Sequence, residues 1–501
     1  MNKPIQLNYA QQQSAHEATG RAGNLVTILA VTASISGFML IIGLGLNQMF
    51  SAVVLGLVLA GLALLRPEAG IVATLIYLAV VGDIRRYLVS SVGVVSNDPM
   101  LLVAPSVVCL LVAIALTRRR MMLRTPESKI ILVLCGVMAL EMINPLQGGI
   151  MVGAAGALFS LVPLMWFWIG QSWGTPKLVE KLLFRAVVPL AVLASVLGLC
   201  QGLTSSYLGF EARWFRLTTE SIARPDMRPF AFFCSWAEYP FYVGAALVIA
   251  LTPLFYRKIR LSILFVPLFI AAMIVQSVRE AIYESLLALV VLWAAQARSR
   301  PAFGARLVIA SAVAAGTLIA GMTVLKSADI DVNTEAQKAI EHTTDGVLDI
   351  EHSSAGTHFE LIGNGIVFGV THPFGIGLGG TTSASKFGDA ESFSSEIDFG
   401  DIFISCGAAA GVLYCILIFR LIRSAMLRWR EHREPAALLA LGLMTCQLGH
   451  WGEGSLYAVS ALTWFVIGST DRLAALSLPT AQLQARRVLP RPKRRLGMAP
   501  S

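Results

Sequence analysis

Apolar runs of about 17–20 residues recur from one end of the chain to the other, each long enough to cross a bilayer as a helix. A window near 20 residues predicts about fourteen spans, centred on roughly 24–46, 51–65, 69–82, 99–117, 130–146, 150–170, 184–203, 236–256, 261–277, 281–296, 307–325, 401–419, 436–450 and 454–470. The opening "MNKPIQLNYAQQQSAHEATGRAGN" is polar and carries no signal-peptide core, so the first apolar run is expected to be retained as a span. Two polar interruptions exceed the rest, roughly 204–235 and 326–400. The pattern predicts an all-α polytopic membrane protein in three parts: an N-terminal tail (1–23), a transmembrane domain (24–470) and a basic tail (471–501).

Composition agrees, with 56% hydrophobic and 14% charged residues and a mean hydropathy of +0.70. A soluble domain would carry about a quarter charged residues. The net charge of +9 would suggest nucleic acid if it formed one patch. Instead, with the N-terminus placed in the cytoplasm, "TRRRMMLR", "YRKIR", "ARSR", "FRLIRSAMLRWREHR" and "ARRVLPRPKRR" all fall on the cytoplasmic side. That is the positive-inside bias of membrane proteins. Both termini are then cytoplasmic, and the two long loops face outward. Six of the seven cysteines fall in predicted spans and Cys234 lies at a span edge, a pattern with neither metal-ligand spacing nor a disulfide framework.

Candidate chemistry therefore belongs to the outer face. The first long loop interleaves Arg213, Arg216, Arg224 and Arg228 with Trp214, Phe215, Phe230, Phe232, Phe233 and Trp236. Outward arginines run against the topological bias, and their planar forks match phosphate and carboxylate oxygens. Interfacial anchoring, with these arginines paired to Glu211, Glu220 or Asp226, would use the same residues. In "SVREAIYESLLAL", Arg279 and Glu280 open a long apolar helix, with Glu284 one turn on. Ionisable groups at that depth are costly unless paired or hydrated, which suggests a site, although a local ion pair capping the span would also satisfy them.

In "GTHFELIGNGIVFGVTHPFGIGLGGTT", Phe359, Ile362, Ile366 and Val367 keep helical spacing until Pro373, after which Gly377 and Gly379 belong to a tight turn. A helix lying along the outer surface or re-entering the protein is expected, with a turn whose backbone N–H groups can approach an anion. His358 and Glu360 would stand near the helix start, whereas His342 and His352 read as ordinary polar loop residues. "LGHWGEGSLYA" adds His450 and Glu453 on the same side.

Together "HFELIGNGIVFGVTHPFGIGLGG", "SVREAIYESLLAL", "DIFISCGAAAGVLYCILIFRL" and "RPFAFFCSWAEYPFYVG" resemble, in order, segments of the O-antigen polymerase/ligase superfamily. The resemblance covers roughly 228–423 and implies a GT-C-like membrane glycosyltransferase using undecaprenyl diphosphate-linked glycans at the periplasmic face of the bacterial inner membrane. It implies that Arg279 matches the family's first external arginine and that His358 stands where a second arginine is usual. The histidine that often follows the family's glycine turn is absent from "SKFGDAESFSSEIDFGD".

Displacing a lipid diphosphate from an anomeric carbon needs a base for the attacking hydroxyl and positive charge for the departing diphosphate. The expectation is metal-independent transfer without a cofactor. Arg279, Glu280, His358 and Glu360 would be catalytic, and Arg216, Arg224, Arg228, His450, Glu453, Gly377 and Gly379 would bind substrate. Donor and acceptor glycans, membrane lipids and a chain-length regulator or export protein are the expected partners, and nucleic acid is not. Polymerisation of repeat units leads; a ligase of the same superfamily or a lipid-linked oligosaccharide flippase is the alternative.

Overall fold

The computed structural model describes residues 48–488, apart from 93–97, 119, 205, 218–227, 329–331, 333, 350–354, 383, 386–392, 396 and 453–455. The expected span at 24–46 lies outside the described residues, which form helices, turns and irregular segments with no strand.

The described residues begin with α1 (Gln48–Leu65) and α2 (Pro67–Val92), packed on each other, then α3 (Val103–Thr117) and α4 (Pro126–Glu141). They are followed by α5 (Ile150–Trp173), α6 (Pro176–Thr204), the short α7 (Gly209–Leu217), α8 (Glu238–Leu251), α9 (Val266–Gln276) and α10 (Arg279–Ala294). The last third holds α11 (Arg300–Ser327), α12 (Thr334–Leu348), α13 (Ala355–Thr371), α14 (Asp398–His432), α15 (Pro435–Cys446) and α16 (Tyr457–Val488).

Among the described residues, eight helices are long and apolar enough to cross a membrane: α1, α2, α3 with its leading turn, α5, α6, α8 with its trailing turn, α11 and α14. The protein is thus a helical, multi-pass membrane protein. Expected spans at 130–146, 261–277, 281–296 and 436–450 appear as shorter helices because local stops cut them. Asn144 caps the turn after α4 by accepting from the Leu146 N–H (3.0 Å), and Ser277 ends α9 in the left-handed region (φ 63°).

Short connections reverse the chain between successive long helices, so their ends gather on two faces. One carries Arg118, Arg257, Arg298 and Arg433 and is here called the basic face; the opposite one is the loop face. Three of the helices starting from the basic face, α4, α6 and α11, share one device, a hydroxyl cap with proline in the first turn. Thr125 accepts from Ser128 N (3.1 Å), Thr175 from Leu178 N (3.2 Å) and Ser299 from Ala302 N (3.3 Å).

Between helices, several glycines allow close contact by removing the side chain, as expected when lipid offers no hydrophobic drive for association. Gly170 and Gly174 of α5 lie on Phe465 and Ser469 of α16, and Gly468 of α16 lies on Phe167. At the edge of the bundle, α11 is only 6% buried over its apolar window and stands against α10 and α12.

The glycine-rich segment does re-enter. Helix α13 runs alongside the start of α14, with Gly365 on Gly400 and Gly369 on Phe403. The chain turns where α14 is itself broken at Gly407 (φ 79°, ψ 174°). Side chains would be excluded there, because a Cβ on Gly407 would strike the Pro373 carbonyl. The break frees α14 carbonyls for the turn: Ile376 N–H donates to Ile404 O and Gly377 N–H to Ser405 O, both at 3.0 Å.

Candidate functional site

The site begins at the α9–α10 reversal on the loop face. Gln276, the last residue of α9, donates through Nε2 to the Pro229 carbonyl (3.1 Å) and the Trp236 carbonyl (2.6 Å). That bond pins both ends of the irregular 229–236 segment. From the other side Arg86 of α2 donates to Phe233 O (2.6 Å) and lies 3.8 Å from the Phe230 ring centroid. Arg228 is thereby held at the site, its guanidinium 4.8 Å from the Trp236 ring centroid.

Helix α10 then sends its first residues in two directions. Residues four apart share a helix face, and adjacent ones do not. Glu280 and Glu284 point together towards the loop between α15 and α16, where His450 waits. The His450 Nε2 lies 3.0 Å from Glu280 Oε1 and 3.8 Å from Glu284 Oε1. His450 is 2% exposed and the Glu280 side chain 38%. One carboxylate is therefore open to solvent while the imidazole behind it is buried.

His450 is well fixed. Its N–H donates to Gln447 O (3.0 Å), its carbonyl accepts from Ser460 Oγ (3.2 Å), and its ring lies 4.3 Å from that of Phe241. Gln447 in turn donates to Phe241 O (2.9 Å). Asp398, at the start of α14, accepts from Gly452 N (2.7 Å) and Tyr414 Oη (2.8 Å), tying this loop to the re-entrant hairpin.

Arg279 takes the other direction, towards α12. Its guanidinium lies directly on Gly346, where a Cβ would collide with it. One turn earlier on the same face stands His342. Burial, and then the neighbouring charges of Arg279 and Arg228, lower the His342 pKa below its ordinary 6.5, with Asp345 opposing. Helix α12 is tethered by Thr343 Oγ1, which donates to Ile274 O (3.2 Å), and by Lys326 of α11, 2.8 Å from Asp345.

The arrangement offers two chemistries side by side: a cationic wall of Arg279 and Arg228, and a carboxylate–imidazole–carboxylate cluster. Ligand atoms of Glu280, Glu284 and His450 lie within 4.8 Å of one another, close enough to share a proton or to surround a divalent ion.

Arg279, Glu280, Arg228 and His450 lie in one region of the loop face. Gly377 and Gly379 are not part of it. Gly377 N–H donates to Ser405 O and Gly379 N–H to Gln147 Oε1 (3.1 Å), so both serve the fold of the hairpin rather than an anion. Glu360 is exposed on α13. Arg216 and His358 lie in α7 and α13 with their side chains outside the description, and Arg224 and Glu453 are outside the described residues altogether. Asp401, a carboxylate after the glycine turn, accepts from Ser395 N (2.6 Å) and from the Ser394 and Ser395 hydroxyls, which makes it a helix-start anchor.

Sequence reading takes His342 for an ordinary polar loop residue, where the structure sets it on a helix beside Arg279, and it passes over Gly346. Their four-residue spacing in "HTTDG" was the available signal, but nothing in the chain points that face at Arg279. Compared with known proteins, the chain matches no family model, no curated protein and no solved structure.

Proposed function

We propose that the protein is a membrane glycosyltransferase that polymerises undecaprenyl diphosphate-linked oligosaccharide repeat units. The observation that carries this reading is the split first turn of α10, which sets the Arg279–Arg228 wall beside the Glu280–His450 pair, 3.0 Å apart. Placing the basic face in the cytoplasm puts the site on the periplasmic side of the inner membrane. Fourteen spans, two cytoplasmic termini and a GT-C-like architecture belong to the same reading.

In the proposed step Glu280 removes the proton from the acceptor sugar hydroxyl, and His450 holds the carboxylate and shares that proton. The acceptor oxygen bonds to the anomeric carbon of the donor as the bond to the diphosphate oxygen breaks. Arg279 and Arg228 receive the charge that builds on the departing diphosphate. No resident metal is required by this scheme.

Preference for a polymerase over a ligase rested on the histidine missing after the glycine turn. His450 brings an imidazole to Glu280 from another loop, so that argument loses its force and experiment must separate the two. The deciding measurement is the size of the glycan on undecaprenyl diphosphate in cells lacking the protein. Single repeat units without long polymer are the expected result. Long polymer stranded on the carrier would indicate a ligase, and units confined to the cytoplasmic leaflet a flippase. In a purified system Arg279→Ala abolishes transfer if the reading holds.

A further inference from the structure

Helix α12 is an acidic, polar helix packed on α9, α10 and α11 beside Arg279, and the scheme above leaves it without a task. Three facts give it one. Gly346 is buried under the Arg279 guanidinium and leaves no room for a side chain. His342, one turn before it on the same face, is exposed to the space in front of the arginines. The helix is held in place from two sides, by Thr343 on α9 and by Lys326 on Asp345.

We propose that α12 forms the third wall of the anion site, with His342 taking up a proton when a diphosphate ester binds between Arg279 and Arg228. This rests on the diphosphate reading of those arginines and adds a residue and a proton to it. Gly346 is the positioning residue: it sets the height at which the Arg279 fork lies.

The physical argument is a charge balance. In the empty site two guanidinium groups face His342 and oppose a third positive charge, while Asp345, on the same helix, favours one. Asp345 is also engaged by Lys326 from α11, so its influence is shared. Of the other elements packed on α12, α9 carries no Asp, Glu, Lys, Arg or His, and α6 meets it with its 188–204 half, which carries none either, its Lys177, Glu180, Lys181 and Arg185 lying at the opposite, basic-face end. A diphosphodiester brings two negative charges and reverses the field, so imidazolium becomes the favoured form. Transfer would strengthen the effect, since the departing diphosphate monoester carries one more negative charge than the donor. The bound state then holds more protons than the free state, so affinity rises as pH falls through the bound-state value.

The test is calorimetric titration of the full-length protein in nanodiscs with P1-farnesyl P2-methyl diphosphate, near pH 7, in two buffers of different ionisation enthalpy. This probe has no group of its own that titrates near neutrality, so any proton taken up goes to the protein. Wild type should bind with proton uptake. His342→Gln, and His342→Asn as its second form, should bind without it, roughly threefold to fivefold more weakly at pH 6.5 and little changed at pH 8.5. Gly346→Ala should weaken binding about tenfold while the melting temperature stays near that of wild type, as expected for losing a forked guanidinium contact.

Uptake unchanged in both His342 variants would overturn the inference and leave the diphosphate reading standing. Equal binding of farnesyl methyl phosphate, which carries a single charge, would assign the site to phospholipid headgroups and overturn it too. Failure of the wild type to bind the diester would sink both readings at once.

Discussion

Arg279 and Glu280 are adjacent in the chain, and a helix turns adjacent side chains by about 100°. That rotation separates the cation from the carboxylate and lets each meet a different partner. Had the order placed them four apart, they would have paired with each other along α10. Glu280 is more exposed than Glu284, and the proposed step makes it the base. Glu280→Gln is therefore expected to slow purified transfer by about 10²–10⁴-fold, the usual range for losing a general base. Glu284→Gln should slow it less. The same cluster has the donor set for a divalent ion, which makes chelation informative. Transfer measured with and without EDTA should be equal; loss on chelation, restored by added Mn²⁺ or Zn²⁺, would turn the proton pair into a metal site.

Individual elements show how buried polar groups are used to dock irregular pieces. Glu211 on α7 is fully buried, accepting from Leu208 N (2.7 Å) and from Gln201 Nε2 (3.1 Å). Gln201 also takes the N–H groups of Phe230 and Ala231, so α7 and the Arg228 segment share one anchor. Burial, and then the charge of Asp83, pushes the Glu211 pKa up to about 7 from 4.5. The folded value is raised, so the protonated form is the stabilising one. Its contribution is fully present below pH 4.5 and is lost as pH rises to about 7. The protection factors of the α7 amides, corrected for the intrinsic pH dependence of exchange, should accordingly be higher at pH 5 than at pH 8, and Glu211→Gln should remove the difference. A wild-type helix equally protected at both values would contradict the shift. Helix α14 uses the reverse device, breaking at Gly407 so that its own carbonyls can hold a neighbouring turn.

At the scale of the whole molecule, the long helices hand their ends to two faces, and the polar loops and every member of the candidate site lie on one of them. The proposed reading requires the loop face to lie outside the cytoplasm, since the opposite orientation would put the site in the cytoplasm. In a cysteine-free background, a cysteine at Lys338 on α12 should react with a membrane-impermeant maleimide added to intact spheroplasts, and one at Arg298 should react only after lysis. The opposite pattern would invert the assignment. The basic face has its own locks: Arg428 makes a forked pair with Glu434 (3.1–3.2 Å), and Asp471 accepts from Thr125 (2.6 Å) and Gln171 (2.7 Å). The first joins α14 to the start of α15, and the second joins α16 to α5 and the start of α4.

The amino-acid order alone determines the class of the protein and its local punctuation. Apolar runs make it a helical membrane protein because unpaired backbone is intolerable in lipid. Thr-Pro pairs start helices, Pro373 and the glycines stop one, and Arg279 is bound to stand at a helix start. What it leaves open is how helix faces meet. His450 reaches Glu280, and Gly346 reaches Arg279, only through the angles at which α15, α12 and α10 pack, and periodicity carries no information about a partner's azimuth. The glycine turn shows the same limit from the other side. Its composition suits an anion cradle, yet its N–H groups are consumed by Ser405 and Gln147, because a buried backbone donor takes the nearest acceptor the packed structure supplies.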